Sequence, residues 1–456
     1  LYWNTIRPVP LERDEKQDFV LKDSLYRVDR EAMFSQKTID SLRTAQKPVR
    51  PIQFLRGGIT RNFYSTTAYK TYKFEPLLNG VQYNTVEGVS LSLHQNLSIR
   101  PKYGAWRYEI DWNTRYGFSN AHLNSFATFS LLPKADSFRN RSLRFSGGKR
   151  VLQLNRASPI DETTNTISTL LYRRNYLKIY EAWFGRVEYS KRFENGLQLF
   201  LSANYEDRLP LQNRTDYSFF YKNRVLLPNH PTELEGIPFQ PHAATVATAV
   251  ITFQPGQRYI EFPHRKIAIG SSYPVLQLAY SKGIPKLFNS TADFDRWKFT
   301  VSDDLNFKLG GAFRYRAGIG GFLNNRQVDI PDFQHFNGNQ ILFTLDYLNT
   351  FQRAPYYRYS NTERFYTVFH AEHHFNGLLT NKIPFFNKLK WNLVAGTNTF
   401  YVNRTNYYVE AFAGLENIFK IFRVDVVTAL QAEPGRQWGV RIGFGGVIGN
   451  SIRRSR

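Results

Sequence analysis

Apolar and polar residues alternate along most of this chain. In 106–113, Trp106, Tyr108, Ile110 and Trp112 fall on one face, with Arg107, Glu109, Asp111 and Asn113 on the other. The same period of two runs through 183–192, 197–206, 313–319 and 422–428, where Phe422, Val424 and Val426 oppose Arg423 and Asp425. Successive side chains of an extended strand point to opposite faces, so each stretch predicts a strand with one apolar side. The second face decides the class. It carries charges of both signs, while the apolar face is rich in Trp and Tyr at its ends, as a lipid-facing band around a polar lumen would be. The stretches are about 10–14 residues long, the length that a tilted membrane strand needs.

The pattern therefore predicts an all-β fold, a transmembrane antiparallel β-barrel of fourteen to sixteen strands. Fifteen are legible, from 86–99 to 436–446, and the long segments 153–178, 209–242 and 323–363 all fall at one end. An even count with both termini periplasmic calls for one more strand within 57–80, making sixteen. The segment 255–272 is long for a turn and reads as strand 243–254 running on through Tyr259-Ile260-Glu261-Phe262. Residues 1–50 do not alternate. Phe19, Leu21, Leu25, Tyr26 and Met33 recur there at loosely helical spacing, which predicts a helix-rich periplasmic or lumenal segment. The barrel is expected over 51–448 and a basic periplasmic tail over 449–456.

Composition narrows the class. The 456 residues hold 38 Phe and 28 Tyr but no Cys, which removes disulfides and thiolate metal sites. No apolar run approaches the ~20 residues of a membrane-spanning helix. A net charge of +23 arises from 60 basic and 37 acidic residues. These are spread along strands and not gathered in a patch, which favours lipid and lipopolysaccharide phosphates over nucleic acid as partners. The chain opens at Leu1-Tyr2-Trp3 without an initiator Met or leader, so a signal peptide and a further domain are expected upstream.

The last stretch, Gln437-Trp-Gly439-Val-Arg-Ile442-Gly-Phe444, reads polar, Gly, apolar, aromatic at fixed spacing. It resembles the closing-strand signal by which barrel proteins are handed to their assembly machinery. Before it come Gly256, Tyr259, Pro263 and Gly270, two strands, a loop opening His335-Phe336-Asn337-Gly338-Asn339-Gln340, and five strands. That order resembles the barrel of the BamA/TamA outer-membrane assembly factors. The resemblance implies that the loop folds into the lumen and docks an Arg-Gly pair on an acidic strand residue. Here the Gly is Gly338, but the Arg position holds Asn337, so the implied contact is an Asn hydrogen bond to an acid such as Glu372. Tyr2-Trp3-Asn4, Arg7 to Leu11, Lys22-Asp23-Ser24 and Asn84 to Gly88 resemble a second group, a Bacteroidota outer-membrane family of uncharacterised function. Its members carry a carboxypeptidase-regulatory-like domain before the barrel, which implies that domain upstream here, not the client-receiving repeats of assembly factors.

Candidate chemistry is sparse. His370, Glu372 and His374 lie on one face of a strand, but alternate residues sit ~6.5–7 Å apart, a strained spacing for one ion. A polar lumenal strip is the plainer reading, and no metal or cofactor is expected. Asp303-Asp304 and the Glu109/Asp111 pair read as charge partners of lumenal Arg and Lys. No Ser, His and acid converge near an outer loop, so no catalytic residue is assigned and the chain is not expected to be an enzyme. Three roles stay open: an assembly or translocation barrel with a weak seam, a component of an envelope complex with protein partners, or a channel favouring anions.

Overall fold

The computed structural model describes residues 12–134, 140–262, 265–375, 377, 380–430 and 437–444. Residues 1–11 of the N-terminal segment and the tail expected at 449–456 lie outside the described residues. Two helices, α1 (Arg13–Met33) and α2 (Gln36–Thr44), precede a single turn, α3 (Ile52–Leu55). Three short strands follow, β1 (Ile59–Tyr64), β2 (Ala68–Phe74) and β3 (Val81–Asn84). Next come β4 (Gly88–Pro101), β5 (Trp106–Gly117), β6 (His122–Pro133), β7 (Arg141–Gln153), helix α4 (Glu162–Tyr172), β8 (Ile179–Arg192) and β9 (Leu197–Pro210). The chain continues through β10 (His242–Phe253), a hairpin of β11 (Arg258–Phe262) and β12 (Arg265–Gly270), β13 (Val275–Gly283), β14 (Asp293–Asn306) and β15 (Ala312–Gln327). It ends with β16 (Tyr366–His374), α5 (Pro384–Leu389), β17 (Asn392–Tyr401), β18 (Tyr407–Ile418), β19 (Phe422–Leu430) and β20 (Trp438–Phe444).

From β4 to β20 each wall strand pairs antiparallel with the next, β10 passing directly to β13. β2 and β3 both lie against β4, at 95–101 and 88–91. They are two halves of one wall strand, interrupted at 75–80, and counting them as one makes sixteen wall positions among the described residues. Of the strand expected within 57–80, β2 lies inside that range and its second half, β3, just beyond it, and β1 adds a short strand on the outer edge of β2. The segment 255–272 differs from expectation. β11 and β12 pair only with each other and do not extend β10. Pro255 supplies no N–H and Gly256 takes φ +62, so the ladder stops there and the chain turns into its own hairpin.

Alternation sorts the wall as the pattern requires. Trp112, Trp183, Val187, Leu201 and Phe444 stand exposed on the outside, while Arg115, Glu206, Arg208, Glu410 and Asp425 are buried within. At the long-loop end, segments of three loops share one core of Leu154, Ile160, Leu177, Leu234, Tyr356 and Tyr357, against which Phe239 packs. At the other end α1 is tied to the β4–β5 turn, with Lys102 2.5 Å from Glu31. The helix-rich segment expected over 1–50 is therefore present in its described part.

The outward band generates a direct test. Val187→Arg should cost about 2–4 kcal/mol in a bilayer, measured by denaturant titration in lipid vesicles. Leu309→Arg, at a position 87% exposed on the β14–β15 turn, should stay within about 0.5 kcal/mol. Equal costs would mean that the band does not face lipid.

Candidate functional site

Closing the wall requires the free edge of β20 to meet the free edge of the first strand. Among the described residues no ladder joins them. On the edge of β20, Ile442 is instead met by the loop 328–365, which reaches back from the long-loop end. Ile442 donates its N–H to Leu342 O at 3.1 Å and accepts from Thr344 N at 2.8 Å, so Phe343 bridges Ile442 in parallel. Two glycines permit the approach. A Cβ on Gly443 would lie 1.9 Å from Thr344 Oγ1, and one on Gly439 would lie 2.7 Å from Arg353 Nη1. Arg441, between them on the lumenal face, donates from Nε and Nη2 to Gln352 O at 2.9 and 2.5 Å.

The edge of the first strand is covered by two other pieces. β1 runs along β2 from Ile59↔Phe74 to Tyr64↔Tyr69. Beside β3, Val89 turns its carbonyl to Phe118 N on the β5 side, so Tyr83, opposite Val89, directs its N–H and C=O to the open edge. Thr166 of α4 meets both. Its hydroxyl accepts from Tyr83 N at 2.9 Å and lies 3.2 Å from Tyr83 O. The hydroxyl thereby stands in for a neighbouring backbone acceptor at Tyr83 N, while its one hydrogen is shared among Glu162 O at 2.9 Å, Gln82 Oε1 at 3.0 Å and Tyr83 O. α4 is fixed at its start by Glu162 on Arg115, at 2.8 Å, and Arg115 also pairs with buried Glu87 at 2.6 Å. At its end Leu170 O accepts from Phe219 N and the Tyr172 ring stacks on Tyr221. The loop 209–242 is thus divided: Leu234 and Phe239 pack into the cap, whereas Tyr217, Phe219, Phe220 and Tyr221 are each more than half exposed.

The loop 328–365 is anchored in the lumen by packing and charge together. Phe336 is buried and stacks on Phe400 at 4.1 Å, inside a cluster with Phe351, Tyr359, Tyr366 and Tyr408. Glu410 on β18 accepts from the backbone N–H groups of Gln352 and Arg353 at 2.7 and 3.1 Å, and from Asn398 Nδ2 at 2.7 Å. Tyr347 donates to Asp425 at 2.8 Å under the Arg423 guanidinium, 4.4 Å from its ring. Burial, then the neighbouring Asp425, raises the Tyr347 phenol above its usual range and keeps it a donor. At the start of the loop Asp332 meets buried Arg208 at 2.6 Å, and Arg208 also holds Glu206 at 2.9 Å. Burial opposes the ionisation of Asp332, but Arg208 and Arg156 outweigh it and lower its carboxyl.

The contact implied for Asn337 is not formed. Asn337 accepts from Asn155 Nδ2 at 2.9 Å and donates to Asn349 O at 3.2 Å. Glu372 is engaged by Arg423 at 3.0 Å and lies 3.2 Å from His374. Two guanidiniums, Arg423 and, at 3.7 Å, Arg314, leave no place for a neutral amide there, and the acid that receives the loop backbone is Glu410. Gly338 keeps its implied importance for a different reason: a Cβ there would lie 2.3 Å from Ala354 O, where the loop returns on itself. Asn339 forms that return, donating to Phe343 O and the Gln352 side chain, while Gln340 lines an outer cavity beside Arg173 and Glu233. Of the three metal-type candidates, Glu372 and His374 stay in contact at 3.2 Å while His370 turns away. His370 bonds Asn398 at 2.9 Å, and His374 sits between Glu372 and Glu416. Of the closing-strand residues, Gln437 accepts from Ala429 N, Gly439 and Ile442 meet the loop, and Phe444 faces outward. Arg441, Glu410, Tyr347 and Thr166 carry no side-chain signature that would have found them.

His335 adds a pH dependence. Nε2 lies 2.8 Å from Ile330 O, which only accepts, so it carries the hydrogen and Nδ1 accepts from Ser360 at 2.8 Å. Burial then lowers this imidazole from 6.5 to about 4. Between those values the released loop binds a proton that the docked loop refuses, so docking weakens as pH falls through the window and levels off below it. Asp332 stays ionised throughout. Protease protection of the loop should fall with pH in the native chain and be flatter in His335→Gln; identical profiles would remove the histidine from the account. Separately, Glu410→Gln should cost about 2–3 kcal/mol in denaturant unfolding, through two backbone donors deprived of a carboxylate. A loss under about 0.5 kcal/mol would mean that the loop is held elsewhere.

Among solved structures, CdiB from Acinetobacter baumannii aligns at 10% identity and a TM-score of 0.37, over 82% of this chain and 59% of that one. The chain thus spans less than two thirds of that protein. A mutant porin from Rh. blastica aligns at 10% identity and a TM-score of 0.30, over 85% of this chain and 98% of that one. Neither alignment is close enough to carry an argument here, and no curated protein sequence matches. Residues 53–415 match the C-terminal domain of a family of unknown function, DUF5686, over most of the chain. The chain therefore belongs to the DUF5686 family.

Proposed function

We propose that this chain is an integral outer-membrane barrel that acts by exchanging backbone partners at its seam, as a non-enzymatic component of outer-membrane protein biogenesis or of an envelope complex. The observation that carries the reading is the occupancy of the two edges. The closing strand bonds to 342–344 and the first strand to β1 and Thr166, so neither edge depends on the other. An unsatisfied backbone group in lipid costs several kcal/mol; among the described residues the loop's backbone meets the closing strand's edge at Ile442 alone, which leaves the neighbouring positions to attract another strand. The two bonds at Ile442 contribute about 1–3 kcal/mol together, little enough for a longer incoming strand to replace them by β-augmentation. The short-turn end faces the periplasm in this reading, with both termini there and the aromatic cap outside, against lipopolysaccharide. A Bacteroidota source, kinship with BamA-type barrels and an upstream carboxypeptidase-like domain accompany the reading as what the resemblances imply. No cofactor is required.

The cysteine-free sequence makes the test clean. A photo-crosslinker at Val440, in native outer membranes, should yield adducts with closing strands of other barrel proteins, and Phe343→Cys/Ile442→Cys bridged by a short thiol reagent should abolish them. Adducts confined to the chain's own loop would overturn strand exchange. The alternative, a channel favouring anions, draws on the basic lumen but meets a loop that fills it. Large stable currents in a planar bilayer would favour it.

A further inference from the structure

Most buried lumenal cations have a carboxylate in contact, as Arg115, Arg208 and Arg423 do. One group does not. Two adjoining hollows, of about 250 and 70 Å³, lie between β14, β15 and the start of the loop 328–365. Lys298 borders both, with Arg296 and Arg156 on the larger and Arg316 on the smaller, and no Asp or Glu lines either. The hollow is built into the wall. Lys298 and Thr300 stand opposite Gly320 and Gly318 on β15, and the room those glycines leave is taken from β16 by Tyr366 and Val368, which a Cβ would meet at 2.6 and 3.0 Å.

Of the cations around it, Arg156 is committed to carboxylates, whereas Arg296, Arg316 and Lys298 have no ion pair with a described residue. Arg296 donates from Nη1 to the carbonyls of Asp332 and Phe333 at 2.9 and 3.2 Å. Arg316 reaches the Asn349 side chain. Arg156 shares Glu206 and Asp332 with Arg208. The Lys298 ammonium has no hydrogen bond or ion pair with any described residue, and its charged neighbours are the two flanking guanidiniums. His335, which lines both hollows, is neutral and adds no further charge. Two hydroxyls on the wall, Thr300 and Tyr366, are also buried without a partner. No carboxylate lines the hollow beside these three cations; Asp332 and Asp346 act on Arg296 and Arg316 without an ion-pair contact, so an anion entering the hollow would meet all three together with the spare donors.

We propose that this hollow binds a phosphoryl group, held by Lys298 with Arg316 and Arg296 beside it. A doubly charged tetrahedral oxyanion answers several cations and scattered donors better than a single carboxylate does. The volume admits a phosphate or a small phosphate monoester, not a nucleotide or a folded partner. The same chemistry is available as free phosphate or as a lipid headgroup, and the lumenal position favours the free form.

The test uses the full chain in a neutral detergent. Phosphate and glycerol 3-phosphate should raise its Tm with saturation, whereas chloride and acetate at matched ionic strength should not. Lys298→Met should abolish the shift, and its Tm without phosphate should be no lower than that of the native chain, because an uncompensated ammonium has been removed. Lys298→Arg should keep the shift, and it decides the matter should the Met variant fail to fold. Phosphorus NMR should show line broadening that Arg316→Gln weakens at least tenfold in apparent affinity. Neutral vesicles doped with a phosphatidyl lipid, without free phosphate, test the headgroup source: a shift there assigns the site to lipid. Equal shifts with chloride, or a phosphate shift surviving in Lys298→Met, would overturn the proposal.

Discussion

An exposed strand edge is the constraint around which this molecule is arranged. In water an unpaired N–H or C=O finds a solvent partner; inside a bilayer it does not, and a barrel normally answers by joining its first strand to its last. Here the first strand is broken at 75–80, so it offers the closing strand a poor partner. The chain supplies substitutes from three separate places: a returning hairpin strand, a helix hydroxyl and a three-residue stretch of lumenal loop. Much else follows from keeping them in position. The loop must be pinned by Glu410 and Asp425 so that 342–344 arrives at Ile442. The helix must be pinned by Arg115 so that Thr166 arrives at Tyr83. Gly439 and Gly443 must lack side chains so that the loop can lie against the last strand.

The wall was legible because period two is a strong signal over ten or more residues, and each stretch from 86–99 onward corresponds to a strand in nearly the same place. The start was not, because β1, β2 and β3 are each too short for alternation to accumulate. The hairpin at 258–270 was misread for a related reason. Its residues alternate like a strand, and the Pro255-Gly256 break decides against continuity only if given more weight than the pattern. The lumenal direction of the loop was legible through resemblance, but its dock was not. Side-chain reasoning pointed to Asn337 and Glu372, whereas the loop presents the backbone amides of residues 352 and 353, which almost any residue could provide. A contact made by main chain leaves no mark on residue type.

Charge shows a similar division. The excess of basic residues is spread along the strands, as read, but inside the wall it is organised into networks in which one carboxylate serves several cations. Glu206 receives Arg150, Arg156 and Arg208; Glu372 and Asp425 share Arg423. Such networks fix the loop starts to particular strands and cost little when every member is satisfied. The cations left outside them, around Lys298, border a hollow that no Asp or Glu lines.

Helix α4 has a mechanical consequence. Its first turn is tethered to the wall through Arg115, its middle touches the seam through Thr166, and its last turn carries the exposed aromatics through Phe219 and Tyr221. Thr166 and Tyr172 are about 9 Å apart along the axis, so the helix is a short lever pivoting near Glu162. A pull on the exposed aromatics would have the longer arm and the hydroxyl latch the shorter. Traction on them would therefore fall, amplified, on the hydrogen bonds that hold the β3 half of the first strand.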